Sequence, residues 1–309
     1  MRKTVEFATP GTRLSVTHHQ LVVERPEMPR VTLPIEDLGV VVVDDVRACY
    51  TQAVFLELLE AGATVMVTGR DHLPLGMMLP LDAHHVQTER HHAQIEASEP
   101  TRKRIWQALI SAKIAQQAAV LVRFTGDHGG LTPLAGRVRS GDQGNLEAQA
   151  AQRYWPRLFG KDFRRDREQA GINAALNYGY AVVRAAIARA IVASGLIPSL
   201  GVFHRNRSNP FCLADDLLEP FRPYVDWRVR LLVDERDAPL ALDDRTVRAA
   251  LLSLFNETVL VGGRRTPLLL AIESSAASLS RALTGGEKIL TLPQGLPLDP
   301  QTFEGDEDA

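Results

Sequence analysis

Glu147, His204 and Glu219 are the side chains in this sequence whose types, taken together, could do phosphate chemistry. Two carboxylates and an imidazole suit a hard divalent cation such as Mg2+ or Mn2+ far better than a structural zinc. An ion held in this way polarises a phosphodiester and activates a hydroxyl nucleophile. Asp215 and Asp216 stand close to Glu219, inside the stretch GVFHRNRSNPFCLADDLLEPFRP (201–223). Spacing alone leaves a plainer account of each residue open. Glu147 falls in the first turn of a predicted helix after Asn145, where any carboxylate gains from the helix dipole. His204 ends an apolar run and could be a core histidine with its ring satisfied. Glu219 precedes Pro220, which disfavours the α region, so it could mark no more than a helix end.

Two other groups invite the same question. In HHVQTERHH (84–92), His84 and His91 are seven apart, as are His85 and His92. One helix would stack both pairs on one face, as a zinc hydrolase or a metal-buffering patch would. The HExxH pattern is absent and no third ligand is near, so a hydrated polar face is the simpler account. GDHGGLTPLAG (126–136) and LTGGEKIL (283–290) carry glycines without the spacing of a phosphate-binding loop, and both are set aside.

The elements that must position these groups fall into two parts, an α+β arrangement. Residues 1–80 read as a small β-rich N-terminal domain: TRLSV, QLVVE and RVTLP alternate, and LGVVVV (38–43) is a run for a strand buried on both faces. TQAVFLELLEAG (51–62) has helical spacing with Gly62 as its cap, and ATVMVT (63–68) returns to strand. Residues 81–97 form a linker and first helix, flexible enough to adjust reach. Residues 98–289 read as a larger, all-helical domain, with helices over 98–123, 145–159, 171–194, 246–255 and 267–284. Ser98 or Glu99 would cap the helix that carries Pro100. Residues 290–309 read as an acidic, disordered tail.

Charge is unevenly spread. The net charge is −2, yet residues 137–189 hold ten Lys/Arg against five acids, and the last twenty residues hold five acids and no Lys/Arg. A basic middle masked by an acidic tail suits a polyanion binder, although a solvated helix face would look the same. Two cysteines, Cys49 and Cys212, exclude a disulfide framework or a Cys-rich zinc site. No apolar run reaches the roughly 18 residues of a membrane span, and no secretory leader is evident, so a cytoplasmic protein is expected.

Several phrases, in order, resemble the CRISPR-associated integrase family, the metal-dependent nuclease subunit that captures new spacers. They are PIEDLGVVVVDD (34–45), IWQALISAKIAQQAAVL (105–121), NLEAQAAQRYWPRLFGKDFRR (145–165), INAALNYGYAVVRAAIARAIVASGL (172–196) and GVFHRNRSNPFCLADDLLEPFRPYVD (201–226). The wording is most similar to the type II branch, found beside a single-protein RNA-guided nuclease. The resemblance implies that Glu147, His204 and Glu219 bind a catalytic Mg2+ or Mn2+ ion, with Asp216 tuning the site. The last ligand is often aspartate in relatives, so Glu219 is a variant. It implies a β-sandwich-like N-terminal domain that forms a homodimer, and double-stranded DNA, both captured fragment and repeat, as substrate. A smaller adaptation subunit would bridge two dimers, and the RNA-guided effector nuclease is a further partner. Arg164, Arg165, Arg205 and Arg207 would meet the DNA backbone. Two other readings stay open: a non-catalytic DNA-binding scaffold of the same fold, which strand transfer and Mn2+ binding would separate, and a branched-DNA repair nuclease, which gene neighbourhood would separate.

Overall fold

A computed structural model describes residues 2–297. The first part builds two four-stranded sheets. Its elements are β1 (Lys3–Phe7), β2 (Arg13–Thr17), β3 (Gln20–Arg25), β4 (Met28–Pro34), β5 (Leu38–Val43), β6 (Cys49–Tyr50), α1 (Gln52–Glu60), β7 (Thr64–Thr68) and β8 (Pro74–Met78). One sheet runs β1-β5-β7-β8, with β1, β5 and β7 parallel and β8 antiparallel. The other runs β4-β3-β2-β6.

Strand β5 explains the VVVV run. Val41 and Val43 join Leu14, Leu21 and Val23 of the second sheet in one core. Val40 and Val42, on the opposite face, join the core of the helical part. Because side chains alternate along a strand, a strand covered on both sides needs apolar residues at every position.

The helical part comprises α2 (Gln87–Glu96), α3 (Glu99–Thr125), α4 (Leu131–Ala135), α5 (Leu146–Phe159), α6 (Ile172–Ala193), α7 (Cys212–Leu218), α8 (Arg222–Asp234), α9 (Arg245–Ser253) and α10 (Leu268–Leu283). It is not purely helical. β9 (Thr258–Val261) and β10 (Arg264–Pro267) form a hairpin ahead of α10, and β11 (Pro293–Gln294) adds to β9 as a third strand. That strand corrects the expectation of a tail from residue 290. Leu290, Leu292 and Leu296 pack on the helical core, and Gln116 and Tyr224 donate to the carbonyls of Pro293 and Gly295. The rest of the acidic segment, 298–309, lies outside the described residues.

Ser98 caps α3, its Oγ accepting from the Thr101 N–H at 3.3 Å, and Gly126 closes it at φ 74°. This helix has the length and hydropathy of a membrane span, but 61% of that window is buried inside the protein. Eleven of its residues are buried, so it serves as the central core helix.

Residues 81–97 are not a free linker. Gln94 of α2 is buried and exchanges hydrogen bonds with Ile197 and Leu200, and Arg90 donates to the Ser194 carbonyl. The sheets are clamped further by Arg248 of α9, which binds Glu6 (2.9 Å) and Asp44 (3.0 Å). A shared core and buried ion pairs leave little room for an adjustable reach. They also give the sheets support beyond their own core.

Candidate active site

Three helices converge on one corner behind which Asp226 acts as a tie. Tyr154 of α5 and Tyr180 of α6 both donate their hydroxyls to Asp226 of α8. Burial pushes the Asp226 carboxyl up to about 6 in spite of these donors. The tie fixes α5, whose first turn carries Glu147. Asp142 caps that turn, its two oxygens accepting from the N–H groups of Leu146 (2.9 Å) and Glu147 (3.1 Å).

Glu219 follows α7 directly. Contrary to the expectation from Pro220, its backbone is helical (φ −53°, ψ −48°), and a single 3-10 turn carries the chain into α8. Its side chain explains why: Glu219 is 4% exposed and is gripped by Arg222 at 2.9 Å and Lys113 at 2.5 Å. Burial alone would push this carboxyl up, but the two cations outweigh it and hold the group well below the usual carboxylate range.

Lys113, in the middle of α3, also reaches Glu147 at 2.5 Å. One ammonium therefore joins the two glutamates. Burial tends to lower its pKa, and the paired carboxylates raise it, the second effect winning. His204 lies on the loop between α6 and α7. Its Nδ1 meets Asp216 Oδ1 at 2.6 Å, and the same carboxylate accepts from the N–H groups of Val202, Phe203 and His204. Asp216 is fully buried, so this one side chain shapes the whole loop. Its hydrogen bond raises the histidine pKa against the opposing effect of burial. With Nδ1 engaged, the ring is oriented to offer Nε2. Gly201 is obligatory here, since a Cβ would come within 2.3 Å of the His204 carbonyl oxygen.

The expected ligands thus gather around one corner. Glu147 and Glu219 meet through Lys113, and His204 feels the charge of Glu219. Among the described residues no three of His, Cys, Asp and Glu form a ready-made ion cage. The donor chemistry nonetheless fits Mg2+ or Mn2+: a cationic group already stands between two carboxylate oxygens, and a divalent ion needs those same oxygens. Asp215 is turned to Arg184 (2.7 Å) and Asn209 (2.6 Å), and only its charge reaches His204.

The other candidates separate. His84 and His85 stack on each other at 4.6 Å but precede α2, which starts at Gln87, so no four-histidine helix face forms. Arg205 and Arg207 are exposed on the loop beside His204. Arg164 is exposed, its guanidinium folded onto the carbonyls of Lys161 and Phe163. Arg165 has a different job from the one expected: it binds Asn173 (2.9 Å) and Asn177 (2.6 Å) and lies over the Tyr180 ring. Its guanidinium holds the segment before α6 in place instead of facing solvent. Lys113 was missed in the sequence, although it is the lone charge between Ile105 and Val122, a signal that could have found it.

Two carboxylates thus meet at one ammonium, and a histidine fixed by a buried aspartate stands on a loop that carries exposed arginines. The sequence profile described as "CRISPR associated protein Cas1" matches residues 7–241. The chain is 36% identical over 297 residues to the CRISPR-associated endonuclease Cas1 of Neisseria meningitidis serogroup C, covering 95% of this chain and 97% of that one. A solved casposase bound to integration product shares the fold with TM-score 0.78 and 22% identity, over 93% and 92% of the two chains. A Cas6-RT-Cas1–Cas2 complex shares it at TM-score 0.71 and 18% identity, over 93% of this chain and 35% of that chain. This chain belongs to the Cas1 family of CRISPR-associated endonucleases.

Proposed function

We propose that the chain is a metal-dependent DNA integrase of CRISPR adaptation that inserts new spacers into a repeat array. The observation that carries the proposal is the junction of Glu147 and Glu219 at Lys113, with His204 held beside them by Asp216. The 3′-hydroxyl of a captured fragment attacks a repeat phosphodiester; a new P–O bond forms, and the old 3′-oxygen leaves and takes up a proton. Glu147, Glu219 and His204 Nε2 would hold Mg2+ or Mn2+, which when bound stabilises charge on the attacked phosphate. Asp216 fixes the ring of His204, and Lys113 holds the two glutamates facing each other until an ion takes those oxygens. Arg205 and Arg207 bind phosphates flanking the attacked bond, without sequence preference.

The working assembly is a homodimer formed by the first 80 residues, two such dimers being bridged by a smaller adaptation subunit of the Cas2 kind. The RNA-guided effector nuclease is a further partner, and the site of action is the cytoplasm. Eight of the thirteen exposed large hydrophobics among the described residues support the dimer, for they fall between Met28 and Leu81. Met28, Val31, Tyr50, Leu75 and Met78 sit on the strands β4, β6 and β8 at the sheet edges.

Purified protein with its bridging subunit, a short duplex and a repeat-bearing plasmid provides the test. Joining should need Mn2+ or Mg2+ and a free 3′-hydroxyl on the duplex. Joining of a 3′-deoxy duplex would sink the mechanism. The arginines are tested separately by DNA binding at varied salt. Replacing Arg205 and Arg207 with Gln together should lower the slope of log K against log salt by about two units. An unchanged slope would show that neither side chain meets a phosphate.

A further inference from the structure

We infer that Phe203 is a stacking platform for an unpaired base at the reacting end of the DNA, an inference that rests on the integrase reading. Phe203 is 49% exposed, a large aromatic left in solvent beside the candidate catalytic histidine. Its ring lies flat on Trp106, with centroids 4.0 Å apart and planes at 2°. Trp106 is 1% exposed and meets His204 edge-on at 5.6 Å. One face of Phe203 is therefore covered by a buried indole, while about half of the residue stays open to solvent. A ring fixed in this way has little rotamer freedom left to lose when a flat partner stacks on it.

The surroundings suit a nucleotide. A cavity of about 270 Å³ is lined by Trp106, Val202 and Phe203 together with Arg102, Lys103 and Arg205. Lys103 is paired with Glu99 at 2.7 Å, and Arg102 donates to the Ile95 carbonyl. Arg205 is exposed and is placed to take a phosphate; Glu99, which lines the same cavity, feels its charge and is itself paired with Lys103. Aromatic faces interleaved with cations are the usual means of holding single-stranded nucleic acid, and they tolerate any base. A base seated on Phe203 would set the position of its sugar and phosphate relative to His204, the next residue. Phe203 acts in this account as a positioning residue; Asp216 already fixes its backbone N–H.

The test compares wild type, Phe203→Leu and Phe203→Tyr, the leucine keeping Trp106 covered while removing the π-face. Each binds two duplexes with a short unpaired 3′ end, one intact and one with abasic terminal nucleotides. Wild type and Phe203→Tyr should lose about tenfold in affinity for the abasic end. Phe203→Leu should start about tenfold weaker on the intact end and be indifferent to the missing base, a coupling that general loosening of the loop does not produce. If wild type binds both ends equally while still joining DNA, no base rests on Phe203 and this inference alone falls. If neither end is bound, the integrase reading falls with it.

Discussion

Asp216→Ala should cut strand transfer by about 100-fold or more, although Asp216 touches neither DNA nor ion in the mechanism. The carboxylate accepts from three successive backbone N–H groups and from the His204 ring. Partners that orient a metal-binding histidine typically contribute 10- to 100-fold in activity or affinity, about the range set by removing one of them. Here the same change also leaves three N–H groups without acceptors, each costing about 1–3 kcal/mol if it stays buried. Asp215→Ala, one residue away, loses the pairing with Arg184 and the hydrogen bond from Asn209 and should stay within about fivefold of wild type. Transfer rates for the two variants, measured beside their melting curves, decide the matter. Near wild-type transfer by Asp216→Ala would mean that the loop holds its shape by other means.

The second large effect is on stability. Arg248 is 2% exposed and donates to Glu6, Asp44 and the Leu242 carbonyl, binding α9 to the ends of β1 and β5. Asp44 also takes hydrogen bonds from Thr68 and His72, and Glu6 takes one from Tyr178. Arg248→Ala would leave two largely buried carboxylates without their cation, a change that costs about 3–5 kcal/mol when the survivors cannot reach water. Denaturant midpoints at constant slope give the number. A loss under about 1 kcal/mol would place this junction among ordinary surface pairs.

How much of this was legible in the sequence depends on the range of the interaction. LGVVVV could be read as a doubly buried strand because burial on both faces leaves its mark on every residue. The cap at Ser98, the helix after Asn145 and the helix from Ile172 were legible for the same local reason. The β9–β10 hairpin was passed over although Gly262 and Gly263, both at positive φ (56° and 77°), are a strong hairpin signal. Strand β11 could not be read, since two residues carry no period and their pairing with β9 spans the whole of α10. Residue type singled out Glu147, His204 and Glu219, but only the resemblance joined them, because the glutamates come together through the packing of α3, α5 and α7 and His204 is set by Asp216 of α7. The role of Asp216 was hidden further, as its partners are backbone N–H groups, which no residue type advertises. Arg165 misled for the opposite reason: a cation in a basic stretch reads as surface until the two asparagines that hold it are seen.

The central claim is that Glu147, His204 and Glu219 work as one site. Mn2+-dependent strand transfer by the three single alanine variants and the triple variant tests it most directly, with light scattering to show that assembly is kept. Each single change should bring transfer to background, and the triple should be no worse, because ligands that act as a unit lose function together. Near wild-type transfer by His204→Ala, with its Mn2+ dependence unchanged, would contradict the claim.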